Sequence, residues 1–375
     1  MIWFIYSLTS IGIAFLGEKI SRNNKLFLFF LAFVISLMTG LSGQVATDHD
    51  NYIRIYNEID SFSYFNDYSF LSIVLSGGAV EPGFSLICLI CHFLGFGKVG
   101  FFVCLAFITN LLMLITFRKF PRLWLCILLL IVSTHFYSQA NLVRQMLVVA
   151  GFVYSTKYLQ AKTLKKYLIC IAILSLFHIS AIPLALLSFY CYIKNEQQEK
   201  KINYSIFIIW IITFLIAFMG ISIGSGDALL NMIMGGTIYG RYTTGDGGLS
   251  TGYGLAYIYN VFVAISFYVF SFNKNWNKQY YVYVALFQIG GIVINLAAAA
   301  EALVRVALYF TIFQFVILPY MTVQRGAKHK TTLLSNGILL FLVLYYGLYI
   351  LGYTYIISGD SLLGKKMYSL TDFFN

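Results

Sequence analysis

Residues 99–122 read VGFFVCLAFITNLLMLITFRKFPR. From Val99 to Phe117 there is no charged side chain, and then three cations follow in quick succession at Arg118, Lys119 and Arg122. A helix rises about 1.5 Å per residue, and about 20 apolar residues cross a bilayer core. The first part of the stretch therefore has the length of a membrane span, and the second marks the side on which the span ends. The same alternation recurs along the chain. Basic clusters lie at 17–25 (Lys19, Arg22, Lys25), 118–122, 157–166 (Lys157, Lys162, Lys165, Lys166), 194–201 (Lys194, Lys200, Lys201), 273–278 (Lys274, Lys278) and 322–330 (Arg325, Lys328, Lys330). Eighteen of the 25 Lys and Arg residues fall in these six clusters. Short loops of this kind face the cytoplasm.

Composition agrees. With 60% hydrophobic and 10% charged residues over 375 positions, there is too little polar surface to coat a soluble globule. The net charge of +11 is mostly carried by the loop clusters, so it gives no argument for nucleic acid as a partner. Met1–Leu16 lacks a basic leader and a small-residue cleavage site and reads as a first span. Further spans are predicted at 26–42, 99–117, 123–139, 142–159, 203–221, 255–272, 279–298, 303–321 and 332–350. The expectation is an all-α, polytopic integral membrane protein of about 11–12 transmembrane helices, forming a single transmembrane domain over 1–375.

Two larger loops are predicted on the external side. Residues 43–82 hold Asp48, Asp50, Glu58, Asp60, Asp67 and Glu81 against Arg54 alone. Residues 221–252 hold nine of the thirty glycines, with Asp227, Arg241 and Asp246; they form either a mobile lid or a solvated connector. Chain parity then exposes two irregular segments. Residues 167–193 lie between two internal loops and must cross an even number of times, which predicts a hairpin bent at His178-Ile179-Ser180, where Pro183 opposes a continuous helical ladder. Residues 84–96 become a re-entrant or interfacial segment. Broken helices at membrane depth survive where protein or a wet cavity satisfies their backbone, so both segments point to a site.

Cys88-Leu-Ile-Cys91-His92 matches the c-type haem attachment pattern. It sits inside an apolar segment without a partner ligand, and two small side chains facing a packed core explain it better. All six cysteines lie in apolar segments, so neither a disulfide framework nor a zinc site is expected.

The cations outside the clusters are more telling, because an arginine at bilayer depth costs about 2.5–3.5 kcal/mol. Arg144, in Asn141-Leu-Val-Arg144-Gln145, falls at the external end of its span; it is either a site residue or a snorkelling anchor. Arg305 follows Glu301 by four residues and is either a site residue or half of a structural ion pair. His178 is a core histidine or a contact to phosphate or hydroxyl. Guanidinium forks suit pyrophosphate oxygens and stabilise a pyrophosphate leaving group, while a carboxylate accepts the proton of an attacking sugar hydroxyl. Tyr52, Tyr56, Tyr64 and Tyr68 offer sugar-stacking faces or an aromatic belt.

At these residues the sequence resembles the EpsG/Wzy-type polysaccharide polymerases of bacterial surface-glycan pathways. The matching pieces are Thr47-Asp48 followed by Tyr52 and Tyr56, Glu81-Pro82-Gly83-Phe84, Asn141 to Gln145 running through to Tyr158-Leu159, Phe177 to Ala181, and Arg305 with Tyr309-Phe310. Ala46 stands where the family has glycine. The resemblance implies a GT-C-like glycosyltransferase of the bacterial cytoplasmic (inner) membrane. It would transfer a growing glycan from undecaprenyl pyrophosphate to a new lipid-linked repeat unit on the periplasmic or outer face. It implies lipid-linked oligosaccharides, the bilayer and a chain-length-regulating co-polymerase as partners, and no cofactor. It assigns Arg144 and Arg305 to the donor pyrophosphate, His178 to a supporting contact, and Asp48 or Glu81 to the base; the segment after residue 221 matches poorly apart from Arg305, and Gln145, Arg241, Tyr52 and Tyr56 are further candidate substrate contacts. Asp48-His-Asp50 is also a D-x-D, the metal-binding arrangement of the metal-dependent GT-C branch; polymerases of this kind look like the metal-independent branch. A flippase for the same lipids, an O-antigen ligase or an O-acetyltransferase are the alternatives, the flippase being expected to show two-fold internal symmetry.

Overall fold

A computed structural model describes residues 2–21, 24–41, 48–59, 80–218, 255–271, 277, 279–296 and 301–323, together with 337 and 340. The described residues are helical and include no strand. In chain order the helices are α1 (Ile2–Ser21), α2 (Lys25–Gly40), α3 (His49–Glu58), α4 (Pro82–Phe93), α5 (Lys98–Phe117), α6 (Leu123–Ile131), α7 (Thr134–Asn141), α8 (Val143–Gln160), α9 (Leu164–Ser175), α10 (Glu196–Phe218), α11 (Leu255–Ser271), α12 (Tyr280–Leu296), α13 (Glu301–Thr311) and α14 (Gln314–Met321). A 3-10 helix over Ile179–Tyr192 lies between α9 and α10. Where they are described, the predicted spans up to residue 321 overlie these elements, 123–139 and 303–321 each falling on two helices; the loop 221–252, and 332–350 apart from residues 337 and 340, fall outside the described residues.

Among the described residues, two helices, Lys98–Phe117 and Glu196–Ala217, are long and apolar enough to cross a membrane. The second leaves Ile209, Ile212 and Leu215 each about half exposed, a row of side chains that water disfavours and hydrocarbon accepts.

The structure corrects two spans. The run predicted at 123–139 is broken between α6 and α7, where the Ser133 hydroxyl and amide both turn back to the Leu130 carbonyl, local competition with the helical ladder that serine favours. The run at 303–321 is broken between α13 and α14. One buried histidine joins the two breaks: His135 Nε2 lies 3.1 Å from Thr311 Oγ1 and 3.3 Å from the Leu308 carbonyl. Below them Phe152 packs edge-on against Tyr309, Phe310 and Phe313.

Of the two irregular segments, 167–193 bends as predicted and 84–96 lies largely in the short helix α4. The chain bends after α9 and returns as the 3-10 helix, with Tyr167 Oη donating to the Leu184 carbonyl at 2.6 Å and Lys162 Nζ to the Tyr190 carbonyl at 3.2 Å, rungs of an antiparallel hairpin. At about 2.0 Å per residue its 14 residues extend about 28 Å. Helix α4 has 12 residues, about 18 Å, well short of a bilayer core.

The described residues of the basic clusters at 17–25, 118–122, 157–166 and 194–201 lie at one end of the bundle. There Glu18 accepts from the backbone N–H groups of Arg122 and Trp124, Lys162 pairs with Glu199 at 2.8 Å, Gln160 donates to the Gln279 carbonyl, and the Asn277 amide donates to Tyr320. Helix α12 runs parallel to α10, because Asn203 bonds the Tyr281 carbonyl near one end and Asn295 bonds Thr213 near the other. That direction puts Lys194–Lys201 at the same end as Asn277 and Gln279.

Candidate active site

At the opposite end, five elements meet around Arg144. The chain leaves α7 at Asn141, turns through Leu142 and re-enters a helix at Val143, so Arg144 stands in the first turn of α8. Glu81 precedes α4 with Pro82 at the helix start, where a missing N–H costs nothing. The N-terminus of α4 docks directly on the α9 bend, with Gly83 N–H donating to the Leu176 carbonyl at 2.8 Å. A Cβ at Gly83 would itself lie 2.8 Å from that oxygen, so the approach requires glycine.

This docking brings Glu81 to Arg144. Arg144 Nη1 donates to Glu81 Oε2 at 2.5 Å, with the side chains only 21% and 15% exposed. The guanidinium lies over two rings, 5.6 Å from the centroid of Tyr52 and 5.5 Å from that of Phe84, a cation–π setting that favours the charged form. The Tyr52 hydroxyl is hydrogen-bonded to Arg144. Burial raises the pKa of that phenol, Arg144 opposes the rise, and Asp48 and Glu81 add to it, so it stays protonated.

Around this pair the remaining predicted residues assemble. Asp48 precedes α3, its N–H donating to Asn141 Oδ1 at 3.1 Å, and its half-buried carboxylate caps no backbone group. Asp50, the other member of the D-x-D, is exposed. His178 begins the 3-10 helix, with Nδ1 accepting from the Ser180 N–H at 3.2 Å, and lies within electrostatic range of Glu81, Arg144 and Arg305. Arg305 stands on α13, and the Ser180 hydroxyl shares a 2.6 Å hydrogen bond with Tyr309 one turn further on. Thus Asp48, Tyr52, Glu81, Arg144, His178 and Arg305 form one constellation.

Three predicted roles change. Tyr56 offers no face to a sugar: its ring is sandwiched between His92 (3.9 Å) and Phe101 (4.4 Å), and its hydroxyl donates to the Phe96 carbonyl. Tyr52 is 5% exposed, its ring under the guanidinium, so it serves Arg144 rather than stacking on substrate. Gln145 is also 5% exposed and spends its amide on the Arg305 carbonyl at 2.6 Å, which ties α8 to α13 beside the two arginines. Arg241, Tyr64, Tyr68 and the Glu301 side chain lie outside the described residues.

The Cys88, Cys91 and His92 motif is packed as a core. Both thiols are fully buried, Cys91 is hydrogen-bonded to Cys104, and His92 Nε2 meets the Tyr56 carbonyl at 2.8 Å. Sequence reasoning gave no role to Phe84, Ser180, Tyr309 or His135. The first three sit inside the quoted matching pieces, and His135 was visible as a histidine within an otherwise apolar run.

Among the described residues the class is an all-helical bundle with a cationic, carboxylate-bearing cluster at the end remote from the described basic loops. The EpsG family model matches residues 25–364, and the chain belongs to this family, which places it among membrane proteins of polysaccharide-polymerase type. No curated protein and no solved structure matches the chain.

Proposed function

We propose that the protein is a GT-C-like glycosyltransferase that polymerises oligosaccharide repeat units carried on undecaprenyl pyrophosphate, in the bacterial cytoplasmic membrane with its site facing outward. The observation that carries this reading is the Glu81–Arg144 pair, held with Tyr52, Asp48, His178 and Arg305 at the end opposite the basic clusters. In the free protein the Glu81 carboxylate occupies the seat of an anion. A pyrophosphate diester presents the same chemistry with more oxygens and more charge, and Arg144 together with Arg305 forms a divided cationic seat for it.

The chemistry follows from that seat. The acceptor hydroxyl oxygen attacks the anomeric carbon of the donor glycan. The bond from that carbon to the pyrophosphate oxygen breaks, and its electron pair leaves on the pyrophosphate, where Arg144 and Arg305 stabilise the growing charge. The hydroxyl proton passes to a carboxylate. Asp48 suits that task better than Glu81: its carboxylate caps no helix, whereas Glu81 is engaged by Arg144. His178 supports the phosphate or the acceptor hydroxyl from the bend.

The test is the glycan made by cells carrying Arg144→Ala or Arg305→Ala at normal protein level. The expected result is loss of long polymer with accumulation of single repeat units on lipid. Normal polymer in both variants would refute the assignment.

A further inference from the structure

A second polar site lies at the other end of the bundle. Helices α5, α8 and α12 flank a small, partly open cleft of about 50 Å³ lined by Lys119, Tyr154, Thr156, Lys157, Gln160 and Tyr283, among others, with no carboxylate among its lining residues. Its floor is organised before any ligand arrives: the Tyr283 hydroxyl is hydrogen-bonded to Thr156 and Gln160, and Gln160 Nε2 donates to the Gln279 carbonyl at 2.8 Å.

The lysines at this end are treated unequally. Lys162 and Lys200 are neutralised by Glu199 and Glu196, each at 2.8 Å. Lys157 instead holds its ammonium 3.5 Å from the Tyr154 ring centroid and 4.7 Å from that of Tyr158. Aromatic faces position a cation without cancelling its charge. Lys119 has no ion pair among the described residues and joins Lys157 in the cleft wall. Lys157, held over two rings, and Lys119 thus line one cleft together with hydroxyl and amide groups, a set complementary to phosphate.

We infer that this cleft binds a phosphate group at the end of the bundle that carries the basic loops, supplied by an anionic phospholipid headgroup or by a free phosphate compound. The inference rests on the cleft's own residues and stands apart from the polymerase reading.

The experiment uses the full-length protein in a neutral detergent, with thermal unfolding followed as dihexanoyl phosphatidylglycerol, dihexanoyl phosphatidylcholine or inorganic phosphate is titrated. A saturable rise in midpoint is expected with phosphatidylglycerol or with inorganic phosphate. The choice between those two arms identifies the source, and phosphatidylcholine, whose choline the lysines repel, is the weaker lipid. With each cation contributing about fivefold in affinity, Lys119→Gln/Lys157→Gln weakens the response roughly 25-fold. Lys165→Gln/Lys166→Gln removes equal charge from exposed positions nearby and leaves the response within about twofold. If the first double variant does not fold, Lys119→Gln alone, at an exposed residue, weakens binding about fivefold and Lys119→Arg/Lys157→Arg retains it. No response to any of the three probes, or equal losses in the two double glutamine variants, would overturn the proposal.

Discussion

Removing Arg144 should separate two contributions that the Glu81–Arg144 pair combines. The two side chains are 21% and 15% exposed and bonded at 2.5 Å, so the pair lies between a surface ion pair, worth about 0.2–1 kcal/mol, and a buried one, whose disruption costs about 3–5 kcal/mol. Arg144→Ala leaves Glu81 in a partly dry pocket with no counter-charge, and a loss of about 2 kcal/mol is expected. Glu81→Gln/Arg144→Gln removes both charges while keeping shape and polar contact, and should regain most of that stability. Activity should behave differently. A guanidinium that stabilises the leaving pyrophosphate contributes about 10²- to 10³-fold in rate, the scale of one donor to a developing oxyanion. Both Arg144→Ala and the double variant should therefore fail to make long polymer, and Arg144→Lys should rescue poorly because an ammonium lacks the planar fork. Thermal unfolding of purified protein measures the first contribution, and the electrophoretic ladder of lipid-linked glycan measures the second. Recovery of both stability and polymer in the double variant would refute the reasoning and reduce the pair to a structural ion pair.

Three further outcomes are expected. Asp48→Asn should lower polymerisation by about 10²- to 10⁴-fold, the range for loss of a general base, while Asp50→Asn at its exposed position is mild and purified activity survives a chelator; loss of activity in chelator with recovery on adding a divalent cation would make the D-x-D a metal site instead. Gly83→Ala should destabilise by about 1–3 kcal/mol and depress polymerisation, because the new Cβ would stand 2.8 Å from the Leu176 carbonyl and push Glu81 away from Arg144; an unchanged unfolding midpoint would show that the docking of α4 on the bend is loose. In a cysteine-free background, Thr163→Cys and Gln197→Cys should both be shielded from an impermeant external thiol reagent in whole cells, since the hairpin returns the chain to its starting end; labelling of Gln197→Cys from outside would contradict it.

The helical elements were legible because their signals are long. An uncharged run such as 99–117 closed by Arg118 and Lys119 specifies length and direction together, and parity between such loops was enough to require the hairpin at 167–193, which Tyr167 and Lys162 then close. The breaks at Ser133 and at Phe313 were hidden for the opposite reason. Hydropathy averages over a window, and a two-residue interruption inside an apolar run leaves that average unchanged; a serine bonding Leu130 twice is visible only in coordinates. Arg144 and Arg305 were detectable as charges that the bilayer makes costly, and Glu81 as a carboxylate of the external loop at a predicted helix start. Gln145 and Tyr56 were misread because sequence gives a polar group without its partner: the Gln145 amide is spent on the Arg305 carbonyl and the Tyr56 hydroxyl on that of Phe96.

The location of the site follows from where the helices are broken. An interrupted helix exposes amide and carbonyl groups that hydrocarbon cannot satisfy, so each interruption requires a side chain or a neighbouring backbone at that depth. His135 serves two interruptions at once, reaching Thr311 and the Leu308 carbonyl from the start of α7. From that junction the chain reaches Arg144 through α7 and the Leu142 turn, and Arg305 lies six residues before Thr311. Gln145 then bonds the Arg305 carbonyl directly. The backbones that carry the two arginines are therefore tied by a frame of short bonds between broken helices, and a third bent segment, α9 with its 3-10 return, supplies His178 and receives Gly83. Anchored beside pinned breaks, the two arginine-bearing turns cannot move apart without breaking those bonds, which is the kind of pre-organisation that the proposed seat for two linked phosphates would use.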